Sequence, residues 1–440
     1  MCEIEYQPKA VVPNEVRNCV DKKLTFLCKI NVDFRGKSTI IVNKMIGDRI
    51  KQARLAKGAT LEEVAQLLTD GGAPITKAGL SKYEKNKSIP SQTFLIQLAS
   101  VLSVKPSFFV TEPEFVAIWH AFRKHSKLPK KLQEHVKASA EQTIESQLWL
   151  MSVLHPEPPT FPKKFPIEKI EDVESAAEGL RKKWRLGHQT IGCLVEMAES
   201  FGVIVVPHVG LERQRQFDGL SGFVNQRYPV AVVSTSVPDD RIRYTLAHEL
   251  GHLSMDCGDA SEKEEEGFAN RFASAFIVPE PVMRRELGPS RRNVALREFA
   301  VLKQKHGLSM QGLIRRAFDL DIISQGHYTS LFKQFSSRGW RKKEPVDFVS
   351  GETPKRFLQM VLRAVAEGII SEKKAEQMLP GSTAKIKTTG NRLSASELRR
   401  LPSEERSQIL REAAASACDD YSTESELLDF EAMSEDDLYA

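Results

Sequence analysis

Residues 244–255 read YTLAHELGHLSM. His248-Glu249-Leu250-Gly251-His252 is an HExxH pattern. Positions four apart share one face of a helix, so both imidazoles can reach one zinc ion. Glu249 stands beside them, where a carboxylate can take a proton from water activated by the metal. A catalytic zinc site also needs a third protein ligand and one open position. Downstream, Glu266 heads EGFANRFASAFIV, residues 266–278. Read as the start of a helix, Glu266 shares a face with Ala269 and Asn270. A small residue at 269 lets this helix approach the HExxH helix closely. Glu262, Glu264 and Glu265 compete for the ligand role. Glu266 is preferred because it alone begins the stripe that carries Phe268, Phe272 and Phe276. Manganese suits the same donor set as zinc.

Around this pair of helices the pattern changes period. GVIVVP (202–207) reads as a short buried strand, and LSGFVNQ (220–226) and PVAVVST (229–235) as two strands joined by a polar turn. Their edge offers a place where an extended substrate can add as a strand. Tyr244, Tyr228 and His306 are options for an electrophilic group, although packing explains each more simply. His208 reads as structural.

The chain has 440 residues, 41% apolar and 28% charged, which excludes wholesale disorder. Its net charge of +5 hides a division. Residues 284–343 hold fourteen Lys/Arg against four Asp/Glu, whereas residues 412–440 hold ten Asp/Glu and no Lys/Arg. The six cysteines are scattered with no CxxC pair, which fits a reducing compartment rather than a disulfide framework. No apolar run reaches the roughly 18 residues of a membrane span, and no secretory h-region opens the chain. The expectation is a soluble cytoplasmic protein with no membrane partner.

Residues 1–44 show little periodicity and are read as a poorly defined extension, with Met45 as an alternative start. From Met45 to about residue 110 the chain reads as short helices. Thr60 and Glu63 form a capping box for the second. Residues 111–166 are read as a helical connector, with Trp119 and Trp149 in helix, ending in a linker. There Pro156, Pro158, Pro159, Pro162 and Pro166 crowd into eleven residues. A metal-binding domain is expected over 167–285, a basic helical domain over 286–380 and an acidic tail over 381–440.

Residues 46–104 resemble the Cro/C1-type (Xre-like) helix-turn-helix family. The carriers are IGDRIKQARLAKGATLEEVAQLL, ITKAGLSKYEKNKSIPS and FLIQLASVLSV. The resemblance implies that the helix beginning near Thr76 enters the major groove of double-stranded DNA. Thr76, Lys77, Ser81 and Lys82 lie on its early polar positions, and Lys85 and Lys87 can hold phosphates. It also implies a homodimer.

Residues 167–345 resemble the ImmA/IrrE family of metallopeptidases, on IEDVESAAEGLRKKWRLG, LSGF, YTLAHELGH, EGFANRFASAFIVP and LSMQGLIRRAFDLDIISQGHY. That resemblance implies His248, His252 and Glu266 as metal ligands and Glu249 as the catalytic carboxylate. It further implies a Cro/C1-type repressor as the cleaved protein, with this chain itself as an alternative substrate. The stretches LPSEERSQILREAAA and ELLDFEAMSEDDLY resemble small type II antitoxins, which implies a toxin partner and a rival, non-catalytic regulatory role. The expected class is mainly α with a small β-sheet (α+β). An all-α helix-turn-helix domain is followed by a zincin-like peptidase domain and a helical C-terminal region.

Overall fold

The computed structural model describes residues 38–111, 115–120, 129–154, 160–208, 217 and 219–382, with side chains from residue 46, and a few residues between 399 and 411. The first 37 residues and nearly all of the acidic tail lie outside the described residues. The chain divides into two compact units, 1–379 and 380–440.

The first unit opens with α1 (Ser38–Ala56), α2 (Leu61–Asp70), α3 (Lys77–Glu84) and α4 (Gln92–Leu102). α1 begins upstream of Met45, where the sequence pattern had placed its start. Ile50, Val64, Leu68, Leu80, Leu98 and Phe109 form the core of this module. Thr60 and Glu63 cap α2 reciprocally, at 2.6 and 3.1 Å. The guanidinium of Arg54 on α1 donates to both carboxylate oxygens of Glu84 on α3, at 2.5 and 2.9 Å, and this buried fork fixes α3 against α1.

β1 (Ala117–Trp119) and α5 (Lys130–Leu154) follow, then β2 (Phe165–Pro166), α6 (Asp172–Lys183), α7 (Leu194–Ser200) and β3 (Ile204–His208). β4 (Gly219–Val224) and β5 (Tyr228–Ser234) form the expected antiparallel hairpin. The sheet order is β1-β4-β5-β3, with β3 parallel to β5 and β1 antiparallel to β4. Trp119 therefore stands in a strand, not in helix as expected within the 111–166 connector. Val116 and Ile118 are exposed while Ala117 and Trp119 are half-buried, a period-two pattern too short to read locally. Its formation depends on β4, more than a hundred residues away in sequence.

Next come α8 (Asp239–Ser254), β6 (Met255–Asp256), α9 (Glu262–Ile277), α10 (Glu280–Leu287), α11 (Leu296–His306), α12 (Met310–Asp319), α13 (Gln325–Ser337), α14 (Arg356–Ala366) and α15 (Glu372–Met378). β6 pairs in parallel with β2. The sheet separates two cores. Ile204, Val206, Val230 and Val232 face α5, α14 and α15, whereas Val205, Ala231 and Val233 face the layer containing α6, α8 and α9. Strand alternation thus lets one short sheet serve both sides. α5 and β3 share a core although the proline-rich stretch lies between them. Residues 294–335 likewise share one core with 173–283, so packing runs across the boundary drawn at 286.

Charge is built into this interior. Arg243 and Glu352 are fully buried and paired at 2.7 Å. Arg243 also donates to His306 O at 2.8 Å and to Gly192 O. Glu352 accepts from the first amides of α7, Leu194 N at 3.2 Å and Val195 N at 2.9 Å. Truncating one partner of such a pair leaves the other charge buried and unpaired. Glu352→Ala is therefore expected to destabilise the first unit by about 3–5 kcal/mol in urea unfolding. A loss below about 1 kcal/mol would mean that Arg243 finds other acceptors.

Candidate metal centre and DNA-reading helix

α8 and α9 cross where Gly251 faces Ala269 and Phe272. A Cβ at 251 would lie 3.3 Å from Ala269 Cα and 3.2 Å from Phe272 Cδ1. The missing side chain and the small Ala269 bring the two helices together. The second turn of α9 then brings the Glu266 carboxylate to the histidines. α9 starts at Glu262, earlier than the sequence suggested, because Ser261 and Glu264 form a capping box, with the Ser261 amide donating to Glu264 Oε2 at 2.9 Å. Glu264 is thereby committed to the cap, and its hydrogen bonds from Ser261 hold its pKa below the usual carboxylate range.

His248, His252 and Glu266 offer one ligand atom each, all within 4.8 Å of one another. His248 Nε2 and His252 Nε2 are 3.1 Å apart. Glu266 lies 3.6 Å from each ring nitrogen through separate oxygens. Two nitrogens bound to one tetrahedral zinc at ordinary distances sit about 3.3 Å apart, so this spacing fits an ion. The donor set fits zinc or manganese.

His248 Nδ1 lies 3.1 Å from Asn270 Oδ1, one turn beyond Glu266. An amide oxygen there accepts the Nδ1 proton and leaves the Nε2 lone pair for a metal. Tyr244 donates its hydroxyl to the same oxygen at 3.0 Å. Asn270 was visible in the sequence on the Glu266 face, but its role was not.

Glu249 is buried next to the start of β4. A Cβ at Gly219 would lie 2.5 Å from Glu249 Oε1, so the glycine makes room for the carboxylate between sheet and helix. Across from the metal cluster, the His120 ring stacks on that of His252, centroids 6.3 Å apart at 27°. Burial pushes the His120 pKa down to about 4, keeping the ring neutral. Sequence reading gave no sign of His120, because its position depends on β1 pairing.

The other options for an electrophile fall elsewhere. Tyr228 pairs with Val224 at the far end of the hairpin. His306 is buried near Thr190, 3.3 Å away, and Glu286, 3.7 Å away. His208 packs against His135 and Phe217, in keeping with a structural residue.

In the N-terminal helical module, Thr76 caps α3 by accepting from Gly79 N at 3.1 Å. Lys77 is exposed and meets Glu62 at 3.2 Å. Ser81 is half-buried, and Lys82, Lys85 and Lys87 are exposed at the helix and its C-terminal turn. Among the described residues, no helix is long and apolar enough to cross a membrane.

Residues 198–318 match the IrrE N-terminal-like domain. This match spans β3 to α12 and includes His248, Glu249, His252 and Glu266. Residues 50–109 match the helix-turn-helix family model. The chain thus joins a segment similar to the Cro/C1-type helix-turn-helix family to a segment similar to the IrrE N-terminal-like domain, in a mainly α architecture with a small sheet. No curated protein shows a significant match to the chain.

In the IrrE-like segment, Asn270→Ala is expected to weaken zinc binding by about 10–100-fold, read by competition with a chromophoric chelator. Unchanged affinity would show that Asn270 does not orient His248.

Proposed function

We propose that this chain is a DNA-binding transcriptional regulator with metal-dependent endopeptidase activity. Its substrate is a Cro/C1-type repressor or the chain itself, and cleavage relieves repression. The observation that carries this reading is the convergence of His248, His252 and Glu266 with buried Glu249 beside them, in a chain that also holds a helix-turn-helix module.

A divalent metal held by these three side chains would polarise a peptide carbonyl and ease deprotonation of water. Glu249 accepts that proton and later returns it to the leaving amine. Gly219 keeps the wall against Glu249 free of a side chain, so the carboxylate can face the sheet edge. Asn270 holds the His248 ring through Nδ1, and Tyr244 steadies Asn270. Thr76, Lys77, Ser81, Lys82, Lys85 and Lys87 present the DNA-reading surface of a homodimer.

A second reading rests on the antitoxin-like acidic tail: a regulator without catalysis that binds its operator and neutralises a toxin. The two readings separate on one residue. Glu249→Gln is expected to retain metal and DNA binding while losing cleavage of a co-expressed Cro/C1-type repressor, followed by mass spectrometry. If the metal-loaded wild type cuts neither the repressor nor itself, the peptidase reading fails. Lys82→Ala is expected to weaken operator binding in a shift assay with unchanged metal content. Equal retardation would remove α3 as the reading helix.

A further inference from the structure

Strand β1 is an unusual neighbour for β4. It is three residues long and comes from the segment between the DNA-reading module and α5. On the face that carries the His252 contact, Val116 and Ile118 are only partly covered, 68% and 53% exposed. Ala117 and Trp119 pack against the second core from the other face. The pairing is nevertheless specific: Ala117, Ile118 and Trp119 oppose Val224, Phe223 and Gly222. His120 extends it, its amide donating to Ser221 O at 2.9 Å.

β4 carries two glycines at the places where a second backbone would need them. A Cβ at Gly222 would collide with the backbone of Ile118 and lie 2.9 Å from Trp119 Cα. Gly222 thus admits a close-lying chain. Gly219, three residues before it, faces Glu249. An antiparallel strand in the β1 register runs from Gly222 towards Gly219, which brings its backbone past the carboxylate. Successive side chains alternate between faces, so Ile118 and His120 share the face that carries the His252 contact. His120 Nδ1 is buried with no hydrogen-bond partner among the described residues.

We propose that β1 is a cis occupant of the β4 edge, the edge already read as the place where an extended substrate adds as a strand, so that a substrate segment enters only in place of β1. The partner is an extended peptide segment, recognised mainly by main-chain hydrogen bonds. The proposal rests on the endopeptidase reading for its purpose, but not for its geometry.

The occupant is fastened from its other face. Trp119 Nε1 donates to Glu141 on α5 at 3.0 Å. The other oxygen of Glu141 accepts from Gln52 on α1 at 3.4 Å. Burial raises the Glu141 pKa, and both hydrogen bonds offset part of that cost. One carboxylate therefore touches both the cis strand and the DNA-reading module.

The test uses full-length, zinc-loaded protein carrying Glu249→Gln, so that no probe is consumed. The probe is a fluorescein-labelled peptide of residues 114–121, EFVAIWHA. Ile118→Pro removes a ladder donor from β1 at an exposed position. The expected result, by fluorescence anisotropy, is peptide binding at least about tenfold tighter than in the same protein with Ile118 intact. Trp119→Phe, which removes only the Nε1 hydrogen bond, is expected to fall between them. Its conservative change keeps the test decisive if Ile118→Pro fails to fold. Equal peptide affinity in all three proteins, or no binding to any, overturns the proposal. Absence of repressor cleavage by the chain with Glu249 intact, alongside tighter peptide binding by the variants, would sink the endopeptidase reading while leaving the edge assignment intact.

Discussion

The contact between α8 and α9 at Gly251 and Ala269 is the constraint on which the site depends. HExxH alone supplies two imidazoles and an adjacent carboxylate on one helix. A third ligand must come from a second helix held close enough to reach them. The side-chain-free face of Gly251 and the small Ala269 permit that approach, and Phe272 and Phe276 anchor α9 in the core. A side chain at 251 would press on Ala269 and Phe272, the residues through which α9 packs against α8.

Much of this was legible because it is local. The HExxH spacing, the β4–β5 hairpin and the capping box at Thr60 each lie within a short span of sequence. Each is governed by a period or a cap that operates there. The preference for Glu266 over its acidic neighbours came from the start of a packed stripe. What escaped was non-local. β1 has only three residues and exists because β4 offers it an edge. The capping box at Ser261 was hidden among acidic residues that read as a loop. Asn270 lay on the right face, but nothing in the sequence said that a histidine nitrogen would meet it.

The charge division also reads differently in three dimensions. Part of the basic excess in 284–343 is interior structure. Arg316 is buried against Val278 O and Glu174, and Lys303 sits between Asp240 and Glu344 at 2.8 and 2.9 Å. Lys333, Arg338, Arg341, Lys342 and Lys343 remain exposed. A sum over sequence cannot separate guanidiniums that hold a core from those that meet solvent. The DNA-reading module is joined to this body by a comparable charged contact. Arg49 on α1 lies 3.8 Å over the Phe108 ring and forks onto Glu145 of α5 at 3.0 and 2.7 Å.

The central claim is that His248, His252 and Glu266 hold one divalent metal. X-ray absorption at the zinc edge on the zinc-loaded chain tests it directly. The account predicts one ion per chain, with two imidazole nitrogens and carboxylate oxygen at about 2.0–2.2 Å, and loss of that signal in His248→Ala. A substoichiometric ion, or one whose shell is unchanged by His248→Ala, would contradict it.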